Sequence, residues 1–291
     1  MNTNLKLNDR VFDRFARDGY VIIHNYIPEP RRAEMAAAIR RILKPWDELK
    51  DSPPAARIAS KFFPYPEQAR NRAIVDADAI AFSQRWLGTR HIHYRPGLSL
   101  ALYPGYNGDN GTAHIDNGNN SLLPPTPDDR AHSQIVFWFY LDDVGSDQAP
   151  TRFIPNHCGN DLSKSELFVA PGGSVAIFHN YLWHAASNYL RADGQRYVWK
   201  FAFGRSDHYW EGVLNYTDVG MNPHFREFIV TLSALERELF RFSARGAQVL
   251  HARGPGGIGA AIPGLECARG IHRGGVMQSN NNSKPRRLGG L

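Results

Sequence analysis

Short stretches rich in β-branched and aromatic residues dominate the middle of the chain, and Gly, Pro and Asn turns separate them. Such stretches predict β-strands, since alternate side chains of a strand face opposite sides of a sheet. Six strands are predicted in this way: His91–Tyr94, Ser99–Tyr103, Gln134–Leu141, Thr151–Ile154, Ser174–Phe178 and Tyr197–Phe203. The pattern therefore predicts a β-core over about residues 90–205, and antiparallel strands of this kind are compatible with a jelly roll.

Helical patterns flank this β-core on both sides. Before it, helices are predicted over Asn8–Asp18, with Asn8 as N-cap, over Pro30–Leu43 and over Asp78–Leu87. After it, apolar residues recur at intervals of three to four within Pro223–Phe240, which is typical of an amphipathic helix. The sequence therefore predicts an α+β fold in one domain, residues 1–244, with N-terminal and C-terminal helices around the β-core.

Residues 245–291 differ from the rest of the chain in composition. They hold six Arg and one Lys against one Glu, so they account for the whole net charge of +6, and they contain 11 of the 26 Gly but no Trp, Tyr or Phe. We predict that this Gly/Arg-rich tail is disordered. Because it lacks the aromatic platforms of single-strand binders, we expect a dispensable extension rather than a nucleic-acid partner.

Cysteine content and hydropathy limit the class of protein further. Two cysteines, Cys158 and Cys267, are too few for a disulfide framework and lack zinc-site spacing. The polar N-terminus lacks the apolar stretch of a secretory signal, and the sequence has no transmembrane run. These features predict a cytoplasmic protein without a membrane partner; they say nothing of its oligomeric state.

The strongest chemical signal is a His-x-Asp triplet, His114 to Asp116, with a second histidine, His184, about seventy residues later. On an extended segment, side chains two residues apart share one face and can converge on one ion. Two imidazoles and a carboxylate suit a non-haem Fe(II) centre, because this set leaves coordination positions open. The alternative is a polar face beside a turn.

An arginine near the second histidine extends this pattern. Arg196 lies twelve residues after His184 and follows a turn at the start of an alternating run. A guanidinium matches a carboxylate in shape and charge, so Arg196 could anchor the distal carboxylate of 2-oxoglutarate. Arg191 is a competitor for that role, and His179 is a competitor for the role of metal ligand.

With these residues in place, residues 11–242 resemble the phytanoyl-CoA dioxygenase family of Fe(II)/2-oxoglutarate oxygenases. The resemblance is carried by four stretches in the family's order: Phe15–Ile23, Ile135–Asp143, Ala149–His157 and Pro171–His179 leading to His184. It implies a double-stranded β-helix, which is a cupin-like jelly roll. It also implies Fe(II) on His114, Asp116 and His184, with 2-oxoglutarate and molecular oxygen as cosubstrates.

The resemblance implies further roles around the metal. Trp138 aligns with a residue of the cosubstrate pocket, and Tyr103 could donate to the 2-oxoglutarate carboxylate; ordinary core positions are the alternatives for both. The family's Ser two residues after the second histidine is here Ala186, so Ser187 is the nearest hydroxyl, and Arg196 lies one residue later than the common spacing. Since halogenating relatives have a small residue at the position of Asp116, an oxygenase is expected.

The loops near the His-x-Asp triplet indicate the kind of substrate. The Asn- and Gly-rich loops near the triplet suit a neutral polar or mixed small molecule, and no cluster of Lys and Arg for the phosphates of a CoA thioester stands out. We therefore expect oxidation of a small-molecule metabolite by hydroxylation, desaturation or ring formation. The alternatives are an oxygenase acting on a CoA thioester, a redox-silent zinc hydrolase or isomerase on the same barrel, and a binding module without turnover.

Overall fold

The structure is a computed structural model that describes residues 6–53, 55–60, 63–95, 97–108, 112–115, 130–206 and 223–240. Two predicted features lie outside these residues: Asp116 and the tail 245–291. In the described part of the chain, no helix combines the length and the apolar character that crossing a membrane requires.

Six α-helices are described, and four of them precede most of the strands. They are α1 (Asp9–Asp18), α2 (Glu29–Ile42), α3 (Gln68–Ile74), α4 (Ala77–Leu87), α5 (Pro223–Val230) and α6 (Ala234–Glu238). The predicted start of α1 is confirmed, since the Asn8 side chain accepts a hydrogen bond from the backbone N–H of Val11. The predicted single C-terminal helix is wrong, because Ser233 caps a new helix and separates α5 from α6.

Ten strands form two antiparallel sheets. The strands are β1 (Tyr20–Ile23), β2 (Arg57–Ser60), β3 (Ile92–Arg95), β4 (Ser99–Leu102), β5 (Gln134–Tyr140), β6 (Arg152–Phe153), β7 (Glu166–Leu167), β8 (Ser174–His179), β9 (His184–Ala185) and β10 (Arg196–Arg205). The larger sheet has the order β1-β8-β5-β10-β4-β2, with β3 paired to β10, and the smaller sheet has the order β7-β6-β9. The described fold is thus α+β, as the sequence predicts.

The larger sheet buries both of its faces, which explains why its strands read as nearly continuous apolar runs. One face packs against the helices: Phe137 and Phe139 of β5 join Trp199 and Phe201 of β10 in this cluster. The other face turns towards the smaller sheet, where Phe178 of β8 meets Phe153 and Phe168 from the segments around β6 and β7. We call this second side the inner face.

Strand β10 shows what is unusual about the inner face. Its outward residues, among them Tyr197, Trp199 and Phe201, are apolar and buried among the helices. The alternate positions, which face inward, include Arg196 and Lys200 on either side of Val198. Charged side chains at inward positions indicate that the space between the sheets is a polar cavity at this end rather than a packed core.

Gly97 permits a close crossing beside this cavity. The backbone N–H of Lys200 donates to the carbonyl of Leu98 at 2.9 Å. A Cβ atom on Gly97 would lie 1.7 Å from the Lys200 carbonyl oxygen, which is not a possible contact. Residue 97 must therefore be glycine for the backbone to pass so close to Lys200 of β10.

We expect Gly97→Ala to lower the free energy of unfolding by about 2 kcal/mol or more, because backbone must move to relieve the contact. Gly88→Ala is the matched control: Gly88 has φ +66° but open space around it, so only the left-handed conformation is penalised, at about 1 kcal/mol. Urea unfolding of both variants measures the difference. Equal losses in the two variants would contradict the proposed role of Gly97.

His179 ends β8 in a buried, weakly polar environment. Its Nε2 donates to Asn156 Oδ1 at 3.0 Å, and its ring stacks on Trp86 at 5.9 Å between ring centroids. Burial, with a smaller contribution from His132, lowers the pKa of His179 from 6.5 to about 4. The folded protein therefore holds this imidazole neutral at pH values where the unfolded chain protonates it.

This lowered pKa predicts a loss of stability in mild acid. As pH falls from about 6.5 to about 4, the unfolded state takes up a proton that the folded state does not, so the free energy of unfolding falls, by about 3 kcal/mol in total. His179→Gln keeps a donor for Asn156 but does not titrate. Urea unfolding at pH 7 and pH 5 should show a smaller pH difference in this variant, and an unchanged difference would argue against His179 as its source.

Candidate metal and cosubstrate site

His114 and His184 are brought face to face by the backbone. They form an antiparallel bridge in which the N–H of His114 donates to the carbonyl of His184 at 2.8 Å and the reverse hydrogen bond measures 3.0 Å. Side chains of directly opposed residues lie on the same side of a sheet. Accordingly, the two imidazole centroids are 4.5 Å apart, close enough for both rings to ligate one metal ion.

The orientation of His184 suits a ligand. The residue is buried, at 4% exposure, and its Nδ1 lies 3.0 Å from the carbonyl oxygen of Leu182. A proton on Nδ1, donated to this carbonyl, puts the lone pair of the neutral ring on Nε2. In His114 the corresponding contact, from Nδ1 to the carbonyl oxygen of Thr112, is longer at 3.5 Å, and the side chain is more exposed.

The third predicted ligand, Asp116, lies outside the described residues. Within the part of the chain that the structure describes, no group of three His, Cys, Asp or Glu side chains is placed to hold a metal. The described residues thus supply two imidazoles of the predicted set, held together by the bridge between residues 114 and 184.

A cavity of about 390 Å³ opens beside the two histidines, between the two sheets. Its lining combines three cationic side chains with aromatic and small residues. The lining residues are Arg57, Leu100, Tyr106, His114, Trp138, Thr151, His184, Ala185, Ala186, Arg196 and Lys200. A cavity with a few convergent polar groups and apolar walls is typical of a small-molecule site.

Arg196 is held rigidly in the cavity wall. It is 4% exposed, and one terminal nitrogen, Nη1, donates to the Tyr140 hydroxyl at 3.3 Å and to the carbonyl of Ala149. Ala149 has φ +53°, an uncommon conformation for a residue with a side chain. The guanidinium Nε is buried and has no acceptor among the described residues, so part of the hydrogen-bonding capacity of this cation is unused.

Tyr140 holds Arg196 in place through its hydroxyl, which accepts the hydrogen bond from Arg196 Nη1. Its hydroxyl also accepts from the backbone N–H of Thr151 at 3.0 Å, and its ring stacks on Phe168 with 4.0 Å between centroids. A hydroxyl fixed by these contacts limits the motion of the guanidinium that donates to it. Arg196 is thus pre-oriented towards the cavity without a carboxylate partner among the described residues.

Arg191, the competing anchor, lies at the surface. Its side chain is 43% exposed, and its guanidinium pairs with Asp193 at 3.1 Å. It is not among the residues that line the cavity. His179, the competing ligand, is likewise absent from the lining and is hydrogen-bonded to Asn156 instead.

Trp138 lies in the wall of the cavity. It is 9% exposed, and Lys200 Nζ lies 5.0 Å from the centre of one of its rings. The indole Nε1 is buried and has no acceptor among the described residues. Trp138 therefore contributes an apolar surface and an unused N–H donor.

Two predicted cosubstrate contacts are not placed in the cavity. Tyr103 follows β4 on the face that packs against the helices; its hydroxyl donates to the carbonyl of Lys44 at 2.7 Å, and burial raises its pKa to about 12. The prediction for Tyr103 is thus corrected, because the strand alternation turns it away from the site. Ser187 is half-buried and its hydroxyl has no described partner, but the lining residue at this point is Ala186.

Several lining residues were missed in the sequence. Lys200 could have been found, since it shares the alternation of Arg196 along β10. Arg57 could not, because β2 has no alternating apolar pattern and its half-exposed residues join the sheet only at the edge. Thr151 was also missed; its backbone N–H donates to the hydroxyl of Tyr140, and Tyr140 comes next to Arg196 through the pairing of β5 with β10, two strands that are distant in sequence.

Comparison with known proteins gives structural neighbours only. No protein-family model matches the chain, and no curated protein matches it. HygX from Streptomyces hygroscopicus, solved with nickel and 2-oxoglutarate bound, is 13% identical with a TM-score of 0.54, over 71% of this chain and 90% of its own.

Two proteins of nogalamycin biosynthesis are also structural neighbours of this chain. The α-ketoglutarate-dependent epimerase SnoN is 15% identical with a TM-score of 0.50, covering 70% of this chain and 86% of its own. The carbocyclase SnoK is 14% identical with a TM-score of 0.50, covering 74% and 90%. At such identities the likeness shows the fold alone: this chain has a mixed helix and antiparallel-sheet fold that resembles the fold of these neighbours.

Proposed function

We propose that the protein is an Fe(II)- and 2-oxoglutarate-dependent dioxygenase that oxidises a small-molecule metabolite. The observation that carries this proposal is the placement of the His114–His184 pair and of the buried Arg196 in the wall of one cavity. Imidazole ligands suit iron, and a guanidinium suits a carboxylate. The proposed core is a double-stranded β-helix of the phytanoyl-CoA dioxygenase type, as the four sequence stretches suggest.

In this proposal the chain's residues divide the binding of cofactor and cosubstrate. His114, His184 and Asp116 would hold Fe(II), and Arg196 would pair with the distal carboxylate of 2-oxoglutarate, while Trp138 forms the adjacent wall. When bound, the metal and 2-oxoglutarate supply oxidative decarboxylation by molecular oxygen, which is coupled to oxidation of an unactivated carbon. Structures of the same fold with iron or nickel and 2-oxoglutarate bound support this set.

The protein itself contributes the orientation of Arg196 and the space beside His184. Tyr140 and Ala149 hold Arg196 so that its donors are in place before the cosubstrate arrives, which lowers the cost of binding. The small side chains of Ala185 and Ala186 leave room beside His184. Hydroxylation is the expected outcome, although neighbours described as an epimerase and a carbocyclase indicate that this fold also serves other reactions.

The metal centre is tested by titration of the apo-protein with Fe(II) or Ni(II) under anaerobic conditions. Wild type should bind one equivalent of metal, and His114→Ala or His184→Ala should weaken metal binding by at least roughly tenfold. Removing a residue that only supports a ligand already costs about tenfold or more in metal affinity, so removing the ligand itself should cost at least as much. His91→Ala changes an exposed histidine and should bind metal like the wild type. Unchanged affinity in both ligand variants would overturn the assignment of these histidines as metal ligands. Tight zinc that excludes iron would favour the hydrolase or isomerase alternative.

The cosubstrate site is tested by the metal-to-ligand charge-transfer band of the Fe(II)-loaded protein with 2-oxoglutarate. Arg196→Ala should raise the dissociation constant of 2-oxoglutarate by roughly tenfold to a hundredfold, the effect of losing charged hydrogen bonds, and Arg196→Lys should recover part of it. Arg191→Ala removes a surface guanidinium of the same kind and should leave the titration unchanged.

Three outcomes would contradict this assignment. Absence of the band in the wild type would overturn the 2-oxoglutarate proposal. A weaker affinity for 2-oxoglutarate in Arg191→Ala would contradict the assignment of Arg196 as the residue that pairs with its distal carboxylate. An unchanged affinity in a folded Arg196→Ala would contradict it as well. Circular dichroism of each variant checks folding, because Arg196→Ala leaves the buried Ala149 carbonyl without its donor.

A further inference from the structure

A buried threonine, Thr151, contributes a hydroxyl to the wall of the cavity that holds Arg196. Thr151 is 4% exposed and, of the described lining residues, it alone is a serine or threonine. Ser187 is not part of that lining, where Ala185 and Ala186 stand instead. Thr151 is therefore the aliphatic hydroxyl that a ligand in this cavity can reach.

The backbone of Thr151 is held on both sides. Its N–H donates to the Tyr140 hydroxyl at 3.0 Å, and its carbonyl accepts from the N–H of Phe168 at 2.8 Å. The ring of Tyr140 in turn stacks on Phe168, with 4.0 Å between centroids. Since a β-branched side chain has few χ1 rotamers, a fixed backbone at Thr151 also restricts its hydroxyl to few positions.

The hydrogen bonds around the Tyr140 hydroxyl have a fixed direction. Its oxygen accepts from Arg196 Nη1 at 3.3 Å and from the backbone N–H of Thr151, and neither of these donors can accept in return. The proton of Tyr140 is thus left to donate, and Thr151 Oγ1 lies 3.4 Å away. Because Oγ1 accepts this hydrogen bond, the proton of Thr151 needs a different acceptor, and none is placed for it among the described residues.

Arg196 Nη1 and Thr151 Oγ1 lie close together, because both are hydrogen-bonded to the same phenol oxygen. Both residues line the cavity, and the described partners of Arg196 are the Tyr140 hydroxyl and a backbone carbonyl rather than a carboxylate. A carboxylate has two oxygens with about four acceptor positions, so it can accept from a guanidinium and from a hydroxyl together. A ligand carboxylate that pairs with Arg196 is thus within reach of the Thr151 proton.

We propose that Thr151 is a second donor to the distal carboxylate of 2-oxoglutarate, and that Tyr140 directs the Thr151 proton there. The inference rests on the proposed function, because it takes Arg196 as the anchor of that carboxylate. It puts the hydroxyl of the cosubstrate site on the segment that leads into β6 and not at Ser187. Tyr140 acts through Arg196 and Thr151 and is a positioning residue.

The test compares two 2-oxo acids on the full-length protein loaded anaerobically with Fe(II). They are 2-oxoglutarate and 2-oxopentanoate, which has a methyl group in place of the distal carboxylate, and the charge-transfer band reports binding of each. Thr151→Val keeps the shape of the side chain but loses the hydroxyl. It should weaken 2-oxoglutarate binding by roughly tenfold, the effect of one hydrogen bond to a charged group, and leave 2-oxopentanoate binding unchanged. Thr151→Ser should bind both acids like the wild type.

Tyr140→Phe is the second variant. It keeps the ring but removes the acceptor of Arg196 and the donor of Thr151, so it too should weaken 2-oxoglutarate and not 2-oxopentanoate. In this background the further change Thr151→Val should weaken 2-oxoglutarate binding by less than it does in the wild type, since the two residues are coupled.

Two controls match the loss of a hydroxyl. Thr231 is an exposed threonine outside the lining, and Thr231→Val should titrate like the wild type. Ser187→Ala removes the hydroxyl that lies nearest to His184 in the sequence, and it should also leave both titrations unchanged.

Three results would overturn the inference: an unchanged 2-oxoglutarate affinity in Thr151→Val, an equal loss for both acids in that variant, which a merely structural role would give, or a weaker 2-oxoglutarate affinity in Ser187→Ala. If Thr151→Val does not fold by circular dichroism, a Tyr140→Phe variant that does not discriminate between the acids would overturn it. Absence of the band in the wild type, or equal binding of the two acids by the wild type, would instead overturn the proposed function itself.

Discussion

The two-residue repeat of β10 is the constraint on which both the fold and the cavity depend. This strand pairs with β3, β4 and β5, so its register sets the register of its neighbours. On one side it presents aromatic residues to the helices, and on the other it presents Arg196 and Lys200 to the space between the sheets. A slip of one residue would bury both cations among the helices and expose Trp199, at a prohibitive cost in desolvation.

The second element of the site comes from the opposite side of the cavity. The bridge between His114 and His184 belongs to the smaller sheet's side, where β9 pairs with β6, whereas Arg196 belongs to the larger sheet. The aromatic contacts of Phe153 with Phe178 close the space between the sheets near the histidines. His114 and His184 on one side and Arg196 on the other thus line one cavity, because this packing holds the two sheets at a fixed separation.

Fold and reaction are separate questions for this molecule. Enzymes at 13–15% identity that share the fold are described as an epimerase, as a carbocyclase and as a protein with 2-oxoglutarate bound. What distinguishes one from another must lie in the residues that line the cavity, since the scaffold is common to them. In this chain the described lining includes three basic side chains, Arg57, Arg196 and Lys200, beside His114 and His184.

The sequence by itself determined the local features: the strands around β5, β8 and β10, the cap at Asn8, and the position of Arg196 at the start of a strand, because turns, caps and alternation depend on near neighbours. Only the tertiary structure decided which face of each strand is inner. In β4 every residue is buried, so alternation could not show that Tyr103 turns towards the helices. The tertiary structure also placed Arg57 in the cavity wall and paired His114 with His184. Such pairings depend on contacts between segments that are far apart in sequence, which local patterns do not encode.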